Sequence, residues 1–283
     1  MNGEEASLSR SVALLGVSLP PDLHVHSEWS WDATRGSMER SCERAVELGL
    51  PGIAFTEHAD WVAIHDGQRP MDVAGYLDAV ERCRQRFKDL RILSGVEFGE
   101  PHWFPEESAA ILAAGKLDRV LGSVHCVRIG SEIIDASEFR FRPASEAMNA
   151  IKEYFREMLD LVDSPQHFDA LAHLDYPKRY WPSDLPLYRE EDFEEELRAI
   201  LTAAQKRGLV LEANTTRGDG GEQRFCPGRK VLRWWHEMGG EAVSFGSDAH
   251  HPEAVAGGFK LAVEIVEAAG FKPAKDPLAL WRR

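Results

Sequence analysis

Histidine and carboxylate side chains recur at the ends of short apolar segments of this sequence. His24 and His26 are separated by one residue, and so are Asp248 and His250. Because residues i and i+2 of a β-strand point to the same face, both members of each pair can reach one metal ion. Imidazole together with carboxylate is the ligand set expected for zinc, manganese or iron rather than calcium. The spacing therefore predicts a transition-metal site.

The same residue types stand at the carboxyl ends of six of the seven predicted strands. They are His24, His26, His58, Glu97, His125, His173, Asp248 and His250. The sixth strand ends instead in Glu212 and Asn214, with Arg217 beyond it. One histidine near a strand end is usually a hydrogen-bonded core or surface residue. Six of the eleven histidines in such places would each need a buried partner, and a shared metal cluster is the simpler interpretation.

Short apolar runs rich in Val, Ile and Phe alternate with longer amphipathic stretches, which is typical of β-α units around a parallel sheet. The predicted strands are 22–26, 52–58, 92–98, 120–127, 170–174, 209–214 and 242–247. Helices are predicted over 37–49, 190–207 and 228–238, each closed by a glycine. This alternation fits an open sheet or a closed barrel, but reactive residues at many strand ends indicate a barrel, in which those ends face one mouth.

Composition narrows the class of protein. The net charge of −14 makes nucleic acid an unlikely partner, because phosphate backbones are bound by clustered Lys and Arg. No apolar stretch is long enough for a membrane span, and four cysteines without a C-x-x-C pair fit a reducing cytoplasm. No Gly/Ser linker divides the chain, so we predict a flexible N-terminal extension over 1–18 and one domain over 19–283. The oligomeric state and the role of 270–283 stay open.

The motifs around these residues resemble the polymerase and histidinol phosphatase (PHP) superfamily, and within it the monofunctional histidinol-phosphatase branch. The resemblance runs from about residue 22 to 259 and keeps the order of the family. It rests on the segments Asp22–Ser27, Thr56–His58, Gly95–Glu97, Gly122–His125, Ala172–Asp175, Glu212–Thr215 and Gly246–His250.

The resemblance implies a single-domain distorted (β/α)7 barrel that holds two or three divalent metal ions (Zn, Mn or Fe) at the carboxyl ends of its strands. The implied ligands are His24, His26, Glu97 and Asp248 for the first metal, Glu97, His125 and His173 for the second, and Asp32, His58 and His250 for the third. Many relatives have a histidine where this chain has Asp32, so the third site is expected to be harder and more manganese-like.

Two neighbouring cations can lower the pKa of a shared water from its high bulk value to about 7. The expected catalyst is thus a metal-bridging hydroxide held by Glu97 and Asp248, with no covalent phosphoenzyme. Arg179 and Arg217, just beyond strand ends, are similar to the family's phosphate-binding arginines.

Three further residues are candidates for supporting roles near the metals. Glu57 and Asp60 flank His58 and are expected to orient it, as ligating histidines usually require. His102 follows Glu97 closely enough to line a pocket, but a role as a ligand is not favoured.

The expected partner is a small-molecule phosphate ester, and the resemblance implies hydrolysis of L-histidinol phosphate to L-histidinol and phosphate. The alternative is a PHP phosphoesterase acting on nucleotides or short oligonucleotides. A third possibility is a metal-binding module without catalysis. The residues themselves support phosphate-ester hydrolysis more strongly than they identify the ester.

Overall fold

The structure is a computed structural model, and it describes residues 19–63 and 67–283. The predicted N-terminal extension over 1–18 lies outside the described residues. Ten strands are described: β1 (Asp22–Val25), β2 (Gly52–Ala59), β3 (Arg91–Gly99), β4 (Arg119–Ser123), β5 (Cys126–Ile129), β6 (Glu132–Asp135), β7 (Ala170–Leu171), β8 (Val210–Asn214), β9 (Ala242–Gly246) and β10 (Trp281–Arg282).

Seven of these strands run parallel in the order β1-β2-β3-β4-β7-β8-β9. The two ends of this sheet meet, because Val25 forms a parallel bridge with Ala249 just beyond β9. His26 N donates to Ala249 O at 2.8 Å, and Asp248 N donates to His24 O at 2.8 Å. The sheet is therefore curled into a distorted (β/α)7 barrel, which confirms the predicted fold class.

Helices follow the parallel strands, as the β-α pattern predicts. They are α1 (Met38–Leu48), α2 (Val73–Arg86), α3 (Pro105–Ala114), α4 (Ala144–Asp163), α5 (Glu194–Lys206), α6 (Arg229–Glu237) and α7 (Phe259–Ala268). Ser37 caps α1 by accepting a hydrogen bond from Arg40 N, and Gly49 ends that helix at a φ of 68°. That conformation favours glycine, which explains why the sequence signal located the end of α1 correctly.

Two strand predictions are wrong in extent. The predicted strand 120–127 is broken after Ser123, and the chain then forms the antiparallel hairpin β5-β6. The cause is Glu100, whose carboxylate accepts hydrogen bonds from His125 N and Cys126 N, so these amides do not pair with a neighbouring parallel strand. The predicted strand 170–174 stops after Leu171, because Glu212 accepts the hydrogen bond from His173 N.

The C-terminal segment packs onto the barrel. β10 pairs antiparallel with β9, and the Trp281 ring contacts Phe245 with a centroid separation of 4.9 Å. This segment thus covers one edge of the last parallel strand. Among the described residues, no helix combines the length and apolar character that a membrane span requires.

Candidate metal centre

The carboxyl ends of the strands bring the predicted ligands together. Four groups of three side chains have ligand atoms that all lie within 4.8 Å of one another. The groups are His24-His26-Asp248, His24-Glu97-His173, His58-Glu97-His125 and His26-His58-His250. Eight residues from six strand ends thus converge on one small volume.

Hydrogen bonds determine which nitrogen of His24 and His26 faces this volume. His24 Nδ1 lies 2.6 Å from the Glu212 carboxylate, which can only accept, so Nδ1 carries the proton. Ser30 Oγ donates to Glu57 at 2.6 Å and therefore accepts from His26 Nδ1 at 3.0 Å. In their neutral forms both imidazoles turn an Nε2 lone pair inward. The two Nε2 atoms are only 3.0 Å apart.

Carboxylate oxygens complete this arrangement. Glu97 Oε2 lies 3.2 Å from His24 Nε2 and 3.4 Å from His26 Nε2, and Asp248 Oδ1 lies 3.5 Å from His26 Nε2. Four acceptor atoms thus face one another in a buried position. When both imidazoles are neutral, none of the four atoms carries a proton. Such an arrangement is repulsive unless a cation neutralises it, so the residues present fit a divalent metal.

Glu97 also faces a second group of ligands. Its Oε1 lies 2.6 Å from His173 Nε2 and 3.3 Å from His125 Nε2. His125 Nδ1 lies 3.2 Å from Asp60 Oδ1, which fixes the proton on Nδ1 and leaves Nε2 as an acceptor. The two oxygens of Glu97 therefore point to different groups, which is the geometry that a carboxylate shared by two metals requires.

A third group lies nearer the solvent. Asp32 Oδ2 is 2.9 Å from His250 Nε2 and 3.6 Å from His58 Nε2. Asp32 Oδ1 has no hydrogen-bond partner among the described residues, although it is buried. Burial alone raises the pKa of Asp32, but His58 and His250 lower it far below its ordinary value. The carboxylate is therefore ionised beside two imidazoles.

The buried charges of the cluster shift one another's pKa values. Burial lowers the pKa of His24, but Glu212, Glu97 and Asp248 outweigh it and raise that pKa well above its usual range. Burial and the neighbouring His58 and His250 lower the pKa of His26 to about 4. For Glu97, burial is opposed by the surrounding imidazoles, which hold the pKa well below the ordinary value. Without metal, His24 therefore binds a proton that a cation has to displace.

Both predicted phosphate-binding arginines lie beside Asp248. Arg179 donates from Nη1 to Asp248 Oδ2 at 2.7 Å and from Nη2 to Asn214 Oδ1 at 2.6 Å. Arg217, at a φ of 61°, donates from Nε to Asp248 O at 3.1 Å. Both side chains line a cavity of about 190 Å³ that also exposes Glu97 and His250. Two guanidinium groups therefore border the same space as the ligand cluster.

The residues predicted to support the ligands have different positions. Asp60 contacts His125 and lies 3.4 Å from His58 Nδ1, so it orients two histidines, of which only His58 was predicted. Glu57 binds Ser27 and Ser30, and through Ser30 it orients His26 rather than the His58 side chain. His102 pairs with Glu157 at 3.1 Å and is not among the residues that line the cavity.

Glu212 is a functional candidate that the sequence patterns did not identify. Its carboxylate accepts hydrogen bonds from His24 Nδ1, from His173 N and from Asn214 Nδ2. It therefore orients two ligand-bearing strand ends at once. The signal was present in the spacing, because Glu212 and Asn214 are i and i+2 residues of one strand.

Replacement of Glu212 by Gln is expected to weaken metal binding by roughly 10- to 100-fold, the usual cost of removing the group that orients a ligating histidine. The amide can present its NH2 group to His24 Nδ1, which favours the tautomer with the proton on Nε2, the atom that faces the metal cluster. A metal titration monitored by calorimetry measures the change in affinity. Glu241→Gln, at an exposed site, is the control, and equal affinities in both variants would contradict the assigned role.

A closed barrel of parallel strands with imidazoles and carboxylates clustered at one mouth defines a class of metal-dependent α/β-barrel proteins. The family model for the PHP domain matches residues 22–216. The chain therefore belongs to the PHP domain family.

Relatives with similar sequences cover most of the chain. A probable histidinol-phosphatase of Clostridium acetobutylicum is 28% identical over 257 residues, which span 89% of this chain and 94% of the relative. The histidinol-phosphatase of Lactococcus lactis subsp. lactis is 30% identical over 233 residues, which span 81% of this chain and 83% of the relative.

Solved structures show the same fold. The histidinol phosphate phosphatase of Lactococcus lactis, in complex with zinc, L-histidinol and phosphate, has a TM-score of 0.79 and 26% identity, covering 90% of this chain and 95% of that chain. A putative histidinol phosphatase of Listeria monocytogenes has a TM-score of 0.68 at 16% identity, covering 85% and 98%. Together with the ligand clusters, the zinc-containing relative supports a divalent-metal centre in this chain.

Proposed function

We propose that this chain is a metal-dependent phosphoric monoester hydrolase that converts L-histidinol phosphate and water to L-histidinol and phosphate. One observation carries the proposal: buried acceptor atoms of His24, His26, Glu97 and Asp248 face one another beside two arginines. The similarity to a structure that holds zinc, L-histidinol and phosphate supports this choice of substrate.

The proposed ligands form three sets, of which the third is the most exposed. They are His24, His26, Glu97 and Asp248, then Glu97, His125 and His173, and finally Asp32, His58 and His250. We propose two or three divalent ions of Zn, Mn or Fe, in one domain over 19–283. When bound, such ions acidify water at neutral pH and neutralise charge on phosphoryl oxygens.

The residues of the chain contribute binding and orientation. Arg179 and Arg217 present N–H donors to an anion in the cavity, and the forked guanidinium geometry matches phosphate oxygens. Glu212, Ser30 and Asp60 hold the imidazole protons on Nδ1, so that Nε2 atoms remain acceptors. A cavity of about 190 Å³ suits a small ester better than an oligonucleotide.

The test is a comparison of kcat/KM for L-histidinol phosphate, an aryl phosphate and a nucleoside monophosphate with the metal-loaded protein. We expect L-histidinol phosphate to exceed both others by at least about tenfold, because hydrogen-bonding sites reject analogues that leave their polar groups unpaired. A rate on L-histidinol phosphate no higher than that on the aryl phosphate would contradict the proposed substrate. A preference for the nucleotide would favour the alternative phosphoesterase function.

Replacement of Arg217 by Ala is expected to reduce kcat/KM by roughly 30-fold, corresponding to about 2 kcal/mol for a lost charge-assisted hydrogen bond to phosphate. Metal content should stay constant, because the Arg217 side chain contacts the backbone oxygen of Asp248 and Nδ1 of His250, whereas Nε2 of His250 is the atom that faces Asp32. Arg224→Ala, in the same loop but outside the cavity lining, is the matched control. Equal kinetics of the two variants would remove Arg217 from the phosphate site.

A further inference from the structure

The short turn Tyr176–Tyr180 has two chemically different faces. Tyr176, Arg179 and Tyr180 line the cavity, whereas Lys178 is directed into the protein and is only 9% exposed. The Lys178 ammonium donates to Phe225 O at 2.9 Å. A lysine is rarely buried so completely without a specific partner, so its surroundings indicate its role.

Two carboxylates surround this ammonium. Glu190 Oε1 lies 3.5 Å and Asp175 Oδ2 lies 3.9 Å from Lys178 Nζ. Asp175 is fully buried, and neither of its carboxylate oxygens has a hydrogen-bond partner among the described residues. Burial lowers the pKa of Lys178, but Asp175, Cys226 and Glu190 outweigh it and raise that pKa. Lys178 therefore remains charged and offsets the buried Asp175 and the half-buried Glu190.

Lys178 and Arg179 each contact one of two segments that are hydrogen-bonded to each other, Phe225–Cys226 and the end of β8 at Asn214. Phe225, the acceptor for Lys178, precedes Cys226, which exchanges two backbone hydrogen bonds with Asn214 at 2.8 and 2.9 Å. Asn214 Oδ1 in turn accepts from Arg179 Nη2 at 2.6 Å. The position of the Arg179 guanidinium thus depends on a segment that the Lys178 ammonium fixes.

The contact between Lys178 and Glu190 is also built into neighbouring backbone. Glu190 Oε2 accepts a hydrogen bond from Lys230 N in the first turn of α6. A Cβ atom at Gly228 would lie 1.7 Å from Glu190 Oε1 and 2.8 Å from Lys178 Nζ. Glycine is therefore required at position 228, because the ion pair of Lys178 and Glu190 lies so close to the backbone there. Lys178 thereby connects the turn, the segment before α6 and the start of α6.

We propose that Lys178 is a positioning residue for phosphate recognition, which holds the Tyr176–Tyr180 turn so that Arg179 faces the cavity. This inference rests on the phosphate-binding role of Arg179 in the proposed function. Its distinctive consequence is that loss of Lys178 weakens phosphate binding only through Arg179. A lysine that merely stabilised the fold would not show this dependence.

The test is a double-mutant cycle with Lys178→Met, Arg179→Ala and the double variant, all loaded with metal. The readouts are the inhibition constant of inorganic phosphate, KM, kcat and metal content. We expect Lys178→Met to raise the inhibition constant and KM at least about tenfold while metal content is retained and kcat changes by less than about threefold. In the Arg179→Ala background the same change should have almost no further effect. Lys152→Met, at an exposed lysine paired with Glu196, is the matched control.

Glu190→Gln provides a milder variant if Lys178→Met does not fold, and its smaller effect on phosphate should also vanish in the Arg179→Ala background. Effects that multiply in the double variant would overturn the role of Lys178. An unchanged inhibition constant in Arg179→Ala would overturn the phosphate role of Arg179 and this inference with it. If the protein does not hydrolyse L-histidinol phosphate, but phosphate still inhibits its hydrolysis of an aryl phosphate, only the proposed substrate would be overturned.

Discussion

Replacement of Glu97 by Gln is expected to empty the metal centre and to reduce hydrolysis roughly a thousandfold or more. Glu97 is the residue whose two oxygens face different ligand groups, at 3.2 Å from His24 Nε2 and 2.6 Å from His173 Nε2. An amide has the same shape, but it is neutral and has only one acceptor oxygen. Both groups therefore lose charge and one loses a ligand atom. Elemental analysis and turnover of the purified variant measure the effect.

Glu107→Gln, on the exposed first turn of α3, changes the same functional group away from the site and should leave metal content and turnover as in the parent protein. A Glu97→Gln variant that is folded by circular dichroism and retains its full metal content would contradict the position of Glu97 between two metals. Loss of one metal with retention of the other would assign this residue to a single site.

Metal affinity is expected to fall steeply as the pH is lowered through and below neutrality. In the metal-free protein the pKa values of His24 and His125 lie well above the ordinary value, because the carboxylates around them outweigh burial. Below these raised pKa values each imidazole carries a proton that the metal has to displace. The apparent affinity should then decrease about tenfold per pH unit for each proton released. His26, with a pKa of about 4, should release none near neutral pH.

Calorimetric titration with Zn²⁺ at several pH values, in buffers with different ionisation enthalpies, counts the released protons. We expect the whole metal centre to release more than one proton at pH 7, and to bind metal more tightly as the pH rises. Mixing with EDTA at pH 5.5 and 8 provides an independent comparison, with faster metal loss expected at the lower pH. An affinity that does not change between these pH values would contradict the coupling of the imidazoles to the carboxylates.

The barrel and most of the candidate ligands could be predicted from the sequence for one physical reason. Strand residues alternate between two faces and parallel strand ends meet at one mouth, so His24, His26, Asp248 and His250 had to be neighbours once a barrel was assumed. Asp32 could not be found in this way, because it stands in the loop after β1 rather than at a strand end. Its place came only from family resemblance.

Other features depend on contacts between distant residues. The run 120–127 is apolar and β-prone throughout, yet Glu100 captures the amides of His125 and Cys126 and ends β4 early. Glu212 was not recognised because a carboxylate at a strand end looks the same whether it binds metal or holds an imidazole. Lys178 resembles an ordinary surface lysine in sequence, and only its contacts with the buried Asp175 and with Glu190 reveal its position.

Whether a bound metal centre carries out the hydrolysis is tested by measuring metal ions per chain and turnover of L-histidinol phosphate on one preparation, purified without chelator or added metal. We expect two or three divalent ions per chain, loss of turnover when a chelator removes them, and recovery in proportion to the metal restored. Full turnover in protein that contains less than one metal ion per chain would contradict this expectation.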